Sequence, residues 1–148
     1  MATTVERNTV FRYQELPAIE VTGASTGLAL ATGAKVLKGT FALSANGTVI
    51  AGVEIPANAS VLLGIAQETY DNSAGGAPKF LPMVFRRGQC FVDNQPSGKV
   101  VGANSVGNNV WIKDNISVEN GTAPDPNSAS VRCVGLSPDG SQVEIYIP

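Results

Sequence analysis

Residues 37–55, which read LKGTFALSANGTVIAGVEI, decide the fold class of this chain. Before the central Asn46-Gly47 pair, apolar and polar residues alternate with a period of two, which is typical of a half-buried β-strand. After the pair the alternation resumes, and one face carries Val49, Ala51, Val53 and Ile55. Asn-Gly between two such runs is a strong hairpin signal because both residues accept positive φ angles. The stretch therefore predicts an antiparallel β-hairpin.

The rest of the chain continues this pattern of short apolar runs separated by turns. Residues 60–66 form a continuous apolar run that predicts a strand buried on both faces, and residues 131–147 read as a closing hairpin around the turn SPDGS. Helical signals are weak, since only residues 24–35 lack strong breakers and glycines weaken that stretch. The predicted fold class is all-β, a small β-barrel or sandwich of short antiparallel strands.

The first 20 residues differ from the rest because they carry charge and show little periodicity. Residues 1–20 are predicted to form an extended N-terminal arm that becomes ordered only against another surface. Residues 21–148 are then a single β-rich domain. A chain of 148 residues with 43% hydrophobic content is long enough to bury one packed core.

The composition excludes several classes of function. The chain has no histidine, so it lacks Ser-His and Cys-His nucleophile pairs and imidazole zinc ligands. Charged residues make up only 15% of the chain and nearly balance, with a net charge of -2, which argues against nucleic-acid binding. We therefore expect a protein that is not an enzyme, without catalytic residues, metal or cofactor. The sparse charge favours a surface covered by other protein.

The N-terminal sequence lacks the apolar stretch of a signal peptide or membrane anchor, and no apolar run is long enough to span a membrane. These observations predict synthesis and folding in a cytoplasm and no membrane partner. Cys90 and Cys133 each lie in an apolar, strand-like run. Buried free thiols are the simpler interpretation, and a disulfide between the two stays open.

Two recurring patterns concern turns and bends. Aspartates at predicted turns are expected to bond the local backbone rather than a metal; these are Asp71, Asp93, Asp114, Asp125 and Asp139. A hydroxyl residue, an apolar run, a glycine and another apolar residue recur in residues 48–53, 60–65 and 130–136. Glycine within a strand often marks a bulge or bend. These strings predict corners of a small barrel, unless the similarity is a chance product of β-rich sequence.

Three further side chains are candidates for contacts with partners. Arg86 and Arg87 are adjacent, and they either dock an acidic partner surface or mark the solvated end of a hairpin. Trp111 lies between two apolar residues and faces the side of its strand opposite to theirs. It is a candidate subunit-interface anchor or carbohydrate-stacking platform, and a partly buried core tryptophan is an equally good interpretation.

Between residues 27 and 148 the chain resembles the head decoration, or capsid cement, proteins of tailed bacteriophages. The resemblance is one of pattern and is carried by the strings VLLGIA (61–66), MVFRRGQCFV (83–92), GNNVW (107–111) and the closing hairpin from VGL (134–136) to IYI (145–147). It implies a compact barrel-like protomer that forms homotrimers on the outside of an expanded capsid and stabilises that shell. The implied partners are the major capsid protein and further copies of this chain, and the implied location is the virion.

In this interpretation the arm attaches by extending a neighbouring sheet edge through its backbone. The candidate capsid contacts are Val5, Val10, Phe11, Tyr13, Leu16, Arg86 and Arg87. The alternative is a carbohydrate-binding or adhesin module of a phage tail or surface structure, with Trp111 and the Asn-rich loops contacting the sugar. A trimeric decoration protein would have a larger mass in solution than a monomeric sugar-binding module.

Overall fold

The computed structural model describes residues 2–11, 19–21, 27–96 and 98–148. Within these ranges the chain forms thirteen short strands and one turn of 3-10 helix, Ala103–Ser105. The strands are β1 Ile19–Val21, β2 Ala29–Leu30, β3 Lys35–Val36, β4 Phe41–Ala45, β5 Thr48–Ala51, β6 Ser60–Ala66, β7 Tyr70–Asp71, β8 Met83–Arg86, β9 Gly88–Asn94, β10 Asn109–Ile112, β11 Ser117–Glu119, β12 Ser130–Leu136 and β13 Gln142–Ile147. The all-β prediction is confirmed.

Six strands form an open sheet in the order β1-β8-β6-β4-β5-β2. Near its centre lies the hairpin predicted from the Asn-Gly pair, in which β4 and β5 run antiparallel and Ala45 lies opposite Thr48. Asn46 and Gly47 form the two-residue loop with φ angles of 50° and 77°. Two positive φ angles match the twist of the flanking strands. β3 and β7 form a separate two-stranded sheet.

Two details of this sheet differ from the sequence prediction. β5 ends at Ala51, and the side chains of Val53 and Ile55 are 40% and 55% exposed. The chain has turned away by then, because the Glu54 carbonyl accepts a hydrogen bond from the Ser128 hydroxyl at 2.6 Å rather than from a sheet partner. In β6 the continuous burial begins only at Leu62, and Val61 is 67% exposed.

The second half of the chain closes a five-stranded barrel in the order β10-β11-β9-β13-β12. The circle closes where β12 pairs with β10, with Val131 opposite Val110. Along β9, buried and partly exposed residues alternate, so that Cys90 and Val92 face the interior. β12 and β13 are the predicted closing hairpin.

The pairing is not wholly antiparallel, which corrects the prediction of antiparallel strands. β11 lies parallel to β9, and β2 lies parallel to β5. A parallel pair needs a long connection, and the segment from β9 through β10 to β11 provides one. The weak helical stretch is not a helix where it is described: Ala29–Leu30 and Lys35–Val36 are strands.

The central strands β4 and β6 have both faces buried, because two apolar clusters lie on opposite sides of them. Phe41 and Leu43 join the cluster that contains the barrel interior. Ala42, between them in sequence, joins a second cluster with Phe85 and Leu30. Alternate residues of a strand point to opposite faces, so a single strand supplies both clusters.

β6 also supplies side chains to both clusters, and a β-bulge allows it to do so. Leu62 and Ile65 face the barrel cluster, although residues three apart on a regular strand point to opposite faces. The register shifts here, since Ala42 lies opposite Gly64 while Leu43 lies opposite Leu62. Gly64 has a φ of 151°, and a Cβ placed on it would lie 2.6 Å from the carbonyl oxygen of Arg86. The bulge therefore requires glycine.

The recurring glycine strings behave as predicted at two of three places. In β12 the register against β13 shifts between Cys133 and Gly135, which is a second bulge. Gly52, the glycine of the first string, lies beyond the end of β5 and bulges no strand. A bulge is confirmed for residues 60–65 and 130–136, of which only the second lies in the barrel, and the prediction is wrong for residues 48–53.

The aspartates fold their local turns, with one exception. Four accept a hydrogen bond from the backbone N–H two residues later: Asp71 from Ser73, Asp114 from Ile116, Asp125 from Asn127 and Asp139 from Ser141. Hydrogen bonds from the backbone and hydroxyl of Ser141 lower the pKa of Asp139 to about 2. The prediction is wrong for Asp93, which lies within β9 and forms an ion pair with Arg7.

Both cysteines are free thiols in the barrel interior, as the simpler interpretation predicted. Cys90 and Cys133 are both register partners of Ile145, on the strand between them. Two strand spacings put their Cα atoms roughly 10 Å apart, which is beyond the reach of a disulfide. Burial raises the pKa of the Cys90 thiol to about 12.

The bulge at Gly64 generates a test of this packing. Gly64→Ala combines an unfavourable positive φ with a clash against the Arg86 carbonyl, so we expect a loss of about 2–4 kcal/mol in the free energy of unfolding. Gly102→Ala is the matched control, since Gly102 has a φ of -120° and open space around its Cβ position. Urea denaturation measures both. Equal stability of the two variants would show that the bulge is not constrained.

Candidate protein-interaction surface

The described part of the N-terminal arm, residues 2–11, lies extended along the body of its own chain. Near its start, the Thr3 N–H donates to Asn115 Oδ1 at 2.9 Å, and Asn115 Nδ2 donates back to the Thr3 carbonyl at 2.8 Å. Asn115 lies between β10 and β11. The arm thus begins against the barrel, and these residues are ordered against their own domain rather than only against another surface.

Arg7 anchors the middle of the arm. Its two terminal nitrogens donate to the two carboxylate oxygens of Asp93, at 2.9 and 3.1 Å. A bidentate arginine–carboxylate pair fixes orientation better than a single contact does. The Arg7 N–H also donates to the Lys38 carbonyl at 2.7 Å. This one residue therefore attaches the arm to the barrel, through Asp93, and to the segment that leads into β4.

Gly39 makes this close approach possible. A Cβ placed on Gly39 would lie 1.8 Å from the carbonyl oxygen of Arg7, far inside van der Waals contact. The Thr9 hydroxyl donates to the Gly39 carbonyl at 2.6 Å, so the arm bonds both before and after the crossing. Any side chain at this position would push the arm off the body.

The end of the described arm adds to the barrel. Phe11 forms an isolated antiparallel bridge with Cys90, and the Phe91 N–H donates to the Val10 carbonyl at 3.0 Å. β11 pairs with β9 only beside Asp93 and Asn94, so the arm uses the part of the β9 edge that β11 leaves free. The arm thus extends a sheet edge through its backbone, and the edge belongs to its own chain.

The arm presents apolar side chains outward while it is anchored. Val5 is 64% exposed and Val10 is 60% exposed, whereas Phe11 packs against the barrel cluster. Tyr13 and Leu16, the remaining candidate contacts of the arm, lie outside the described residues. We define the docked-arm surface as residues 5–11 together with Arg86 and Asp93.

Arg86 and Arg87 separate in the structure. The guanidinium carbon of Arg86 lies 4.0 Å from the centroid of the Phe11 ring, a cation–π contact that holds the arm. Arg87 Nε instead donates to the Leu63 carbonyl at 3.1 Å. The two residues do not mark a hairpin end, which corrects that alternative: β8 and β9 do not pair, and the chain passes at Arg87 from the open sheet into the barrel.

Trp111 lies on β10, opposite Glu119, and is half-buried. Its indole N–H donates to the Gly121 carbonyl at 3.0 Å, so the polar end of the side chain already has a partner within the chain. The structure does not bring Trp111 together with the candidate residues of the arm. Its role as a subunit-interface anchor stays a prediction.

A charged cluster that the sequence did not indicate links the barrel to the loop after β5. Lys113 Nζ lies 2.9 Å from Glu54 Oε2 and 3.7 Å from Glu119 Oε2. Lys113 holds the pKa of Glu54 below its ordinary value, and burial raises the pKa of Glu119. Glu119 Oε1 is buried and has no hydrogen-bond partner among the described residues. The cluster fastens the two halves of the chain to each other.

The described residues show few other chemical features. Among them, no group of three or more His, Cys, Asp or Glu side chains is arranged to hold a metal ion. No helix in the described ranges is long and apolar enough to cross a membrane. No protein-family model, curated protein or solved structure matches the chain significantly.

The sequence missed Arg7 and Asp93 as parts of this surface, and it missed Gly39 as the position that the arm crosses. Arg7 and Asp93 are 86 residues apart, and Gly39 matters because the arm crosses it, so none carries a local signal. Only the charge of Arg7 within a weakly periodic arm could have suggested an anchoring role.

The crossing at Gly39 supplies the test of arm docking. We expect Gly39→Ala to release residues 2–11, so that their amide protection falls about tenfold or more in hydrogen exchange while the barrel amides stay protected. Gly33→Ala is the matched control, because its φ of 79° equals the 80° of Gly39 within a degree but its Cβ position is open. Equal arm protection in both variants would show that the arm does not depend on this contact.

Proposed function

We propose that this protein is a structural component of a tailed-bacteriophage virion, a decoration protein that binds the outside of the expanded capsid as a homotrimer and stabilises the shell. The proposal is supported by the resemblance of residues 27–148 to such proteins and by the docked-arm surface. Its partners are the major capsid protein and two further copies of itself, and it uses no enzymatic step.

The observation that carries the proposal is the exposure of Val5 and Val10 on an anchored, extended segment. Exposed apolar side chains on an anchored segment are available to pack against a partner. Because Arg7 and Phe11 already order the arm, binding through it costs less conformational entropy than binding through a free segment would. Three such surfaces on one trimer multiply a modest contact into stable attachment.

The alternative of a carbohydrate-binding or adhesin module has less support. It depends on Trp111, whose side chain is half-buried, so that only part of the ring is free for stacking on a sugar. Its indole N–H is already bonded to the Gly121 carbonyl. No other aromatic ring pairs with it among the described aromatic contacts. The capsid proposal requires nothing of this residue.

Sedimentation with expanded, undecorated heads of the phage that encodes the chain tests the proposal. We expect the wild-type protein to co-sediment to a saturating, stoichiometric level. The Val5→Glu/Val10→Glu variant should bind about tenfold more weakly or worse, because two buried carboxylates would face the partner. Val106→Glu is the matched control, since Val106 is 45% exposed and lies outside the arm.

Failure of the wild-type protein to bind these heads would refute the capsid role. Wild-type binding together with undiminished binding of the arm variant would refute the role of Val5 and Val10. Light scattering of the purified protein should give the mass of a trimer. A monomer mass would contradict the proposal that attachment depends on the avidity of a trimer.

A further inference from the structure

An open groove of 610 Å³ is lined by none of the described arm residues 2–11. Its walls come from the first half of β6, the beginning of β12 and the end of β13. The lining residues are Val61, Leu62, Arg87, Asn109, Ser130, Val131, Arg132, Tyr146, Ile147 and Pro148. Its volume is within the range of sites that bind ligands in proteins.

One wall of this groove is an unpaired strand edge. β6 pairs with β4 along its whole length, but with β8 only at Ile65 and Ala66. Ser60–Leu62 therefore have no paired strand on the groove side among the described residues, and the next carbonyl, that of Leu63, accepts the hydrogen bond from Arg87 Nε. Unpaired edges favour the addition of another strand, and proteins usually block them with charged or irregular residues. Here the edge carries Val61, which is 67% exposed.

The charge of the groove selects the chemistry of an occupant. Arg87 and Arg132 are the charged side chains of its lining, and no acidic side chain lines it. Neither arginine has an ion-pair partner among the described residues, although the chain as a whole carries a net charge of -2. A guanidinium group favours a carboxylate, which it binds with two parallel hydrogen bonds.

We propose that the groove binds an extended, acidic segment of the shell protein, which adds as a strand beside Ser60–Leu62 and places a carboxylate at Arg132 and at the terminal nitrogens of Arg87. This inference rests on the proposed capsid function and identifies a second contact besides the arm. Backbone hydrogen bonds to the β6 edge supply affinity, the exposed Val61 contacts apolar side chains of the segment, and the arginines select for acidic ones. A segment of about three residues spans the free edge.

Charge and shape variants test the groove without affecting the core. Val61→Glu and Arg132→Glu alter exposed side chains, so the protein should stay folded. We expect each to weaken binding to expanded heads about tenfold or more, with the mass in light scattering unchanged. Val106→Glu and Lys79→Glu place the same charges at exposed positions outside the groove and should bind as the wild type does.

A photocrosslinking amino acid, benzoylphenylalanine in place of Val61, identifies the occupant. Crosslinks to the shell protein on decorated heads support the proposal. Crosslinks to a second copy of this chain, with a changed mass for Arg132→Glu, would show that the groove is a subunit interface and would overturn it. Unchanged binding of both groove variants, where the wild type binds, refutes the groove alone. Absence of wild-type binding refutes the capsid function and the groove occupant together.

Discussion

The burial of both faces of the β4–β6 strand pair is the constraint on which the rest of the structure depends. Phe41, Leu43 and Ile65 pack in the cluster of the barrel interior. Ala42 and Ala66 pack in the second cluster, on the other face of the open sheet. Each large side chain buried in this way contributes about 1.5–3 kcal/mol. A chain of this size therefore gains two apolar clusters from one pair of strands, and the two halves stabilise each other.

The same constraint explains where the interaction surfaces lie. At Arg87 the chain leaves the open sheet for the barrel, so β8 cannot continue along β6. The edge of Ser60–Leu62 is left open as a result, and the groove forms beside it. On the barrel, β11 covers only the last residues of β9, which leaves the edge that Phe11 and Val10 use. Incomplete pairing along β6 in the sheet and along β9 in the barrel thus provides both surfaces that we assign to partners.

Local sequence signals predicted the elements whose cause is local. The Asn46-Gly47 hairpin, the closing hairpin and the four aspartate turns depend on residues a few positions apart, and their chemistry is visible in the sequence. Gly64 was recognised as a bend for the same reason. The bounds of β5 were wrong because a contact from Ser128 to Glu54, distant in sequence, draws the chain away.

The candidate surface was predicted only in part, because it depends on contacts between distant segments. Val5, Val10 and Phe11 were recognised from composition, yet the arm was expected to require another surface, and its own body holds it instead. The parallel pairing of β11 with β9 and the Glu54–Lys113–Glu119 cluster also have no local signature. Tertiary packing alone decides such features, so a single sequence does not indicate them.

Native-state hydrogen exchange tests the central claim, that side chains of β4 and β6 in the open sheet complete the barrel cluster, so that the two halves unfold as one unit. We expect the slowest amides of β9 and β13 in the barrel and of β4 and β6 in the sheet to have the same free energy of opening. That common value should equal the free energy of global unfolding. Two plateaus separated by about 2 kcal/mol or more, with one half opening while the other stays protected, would contradict it.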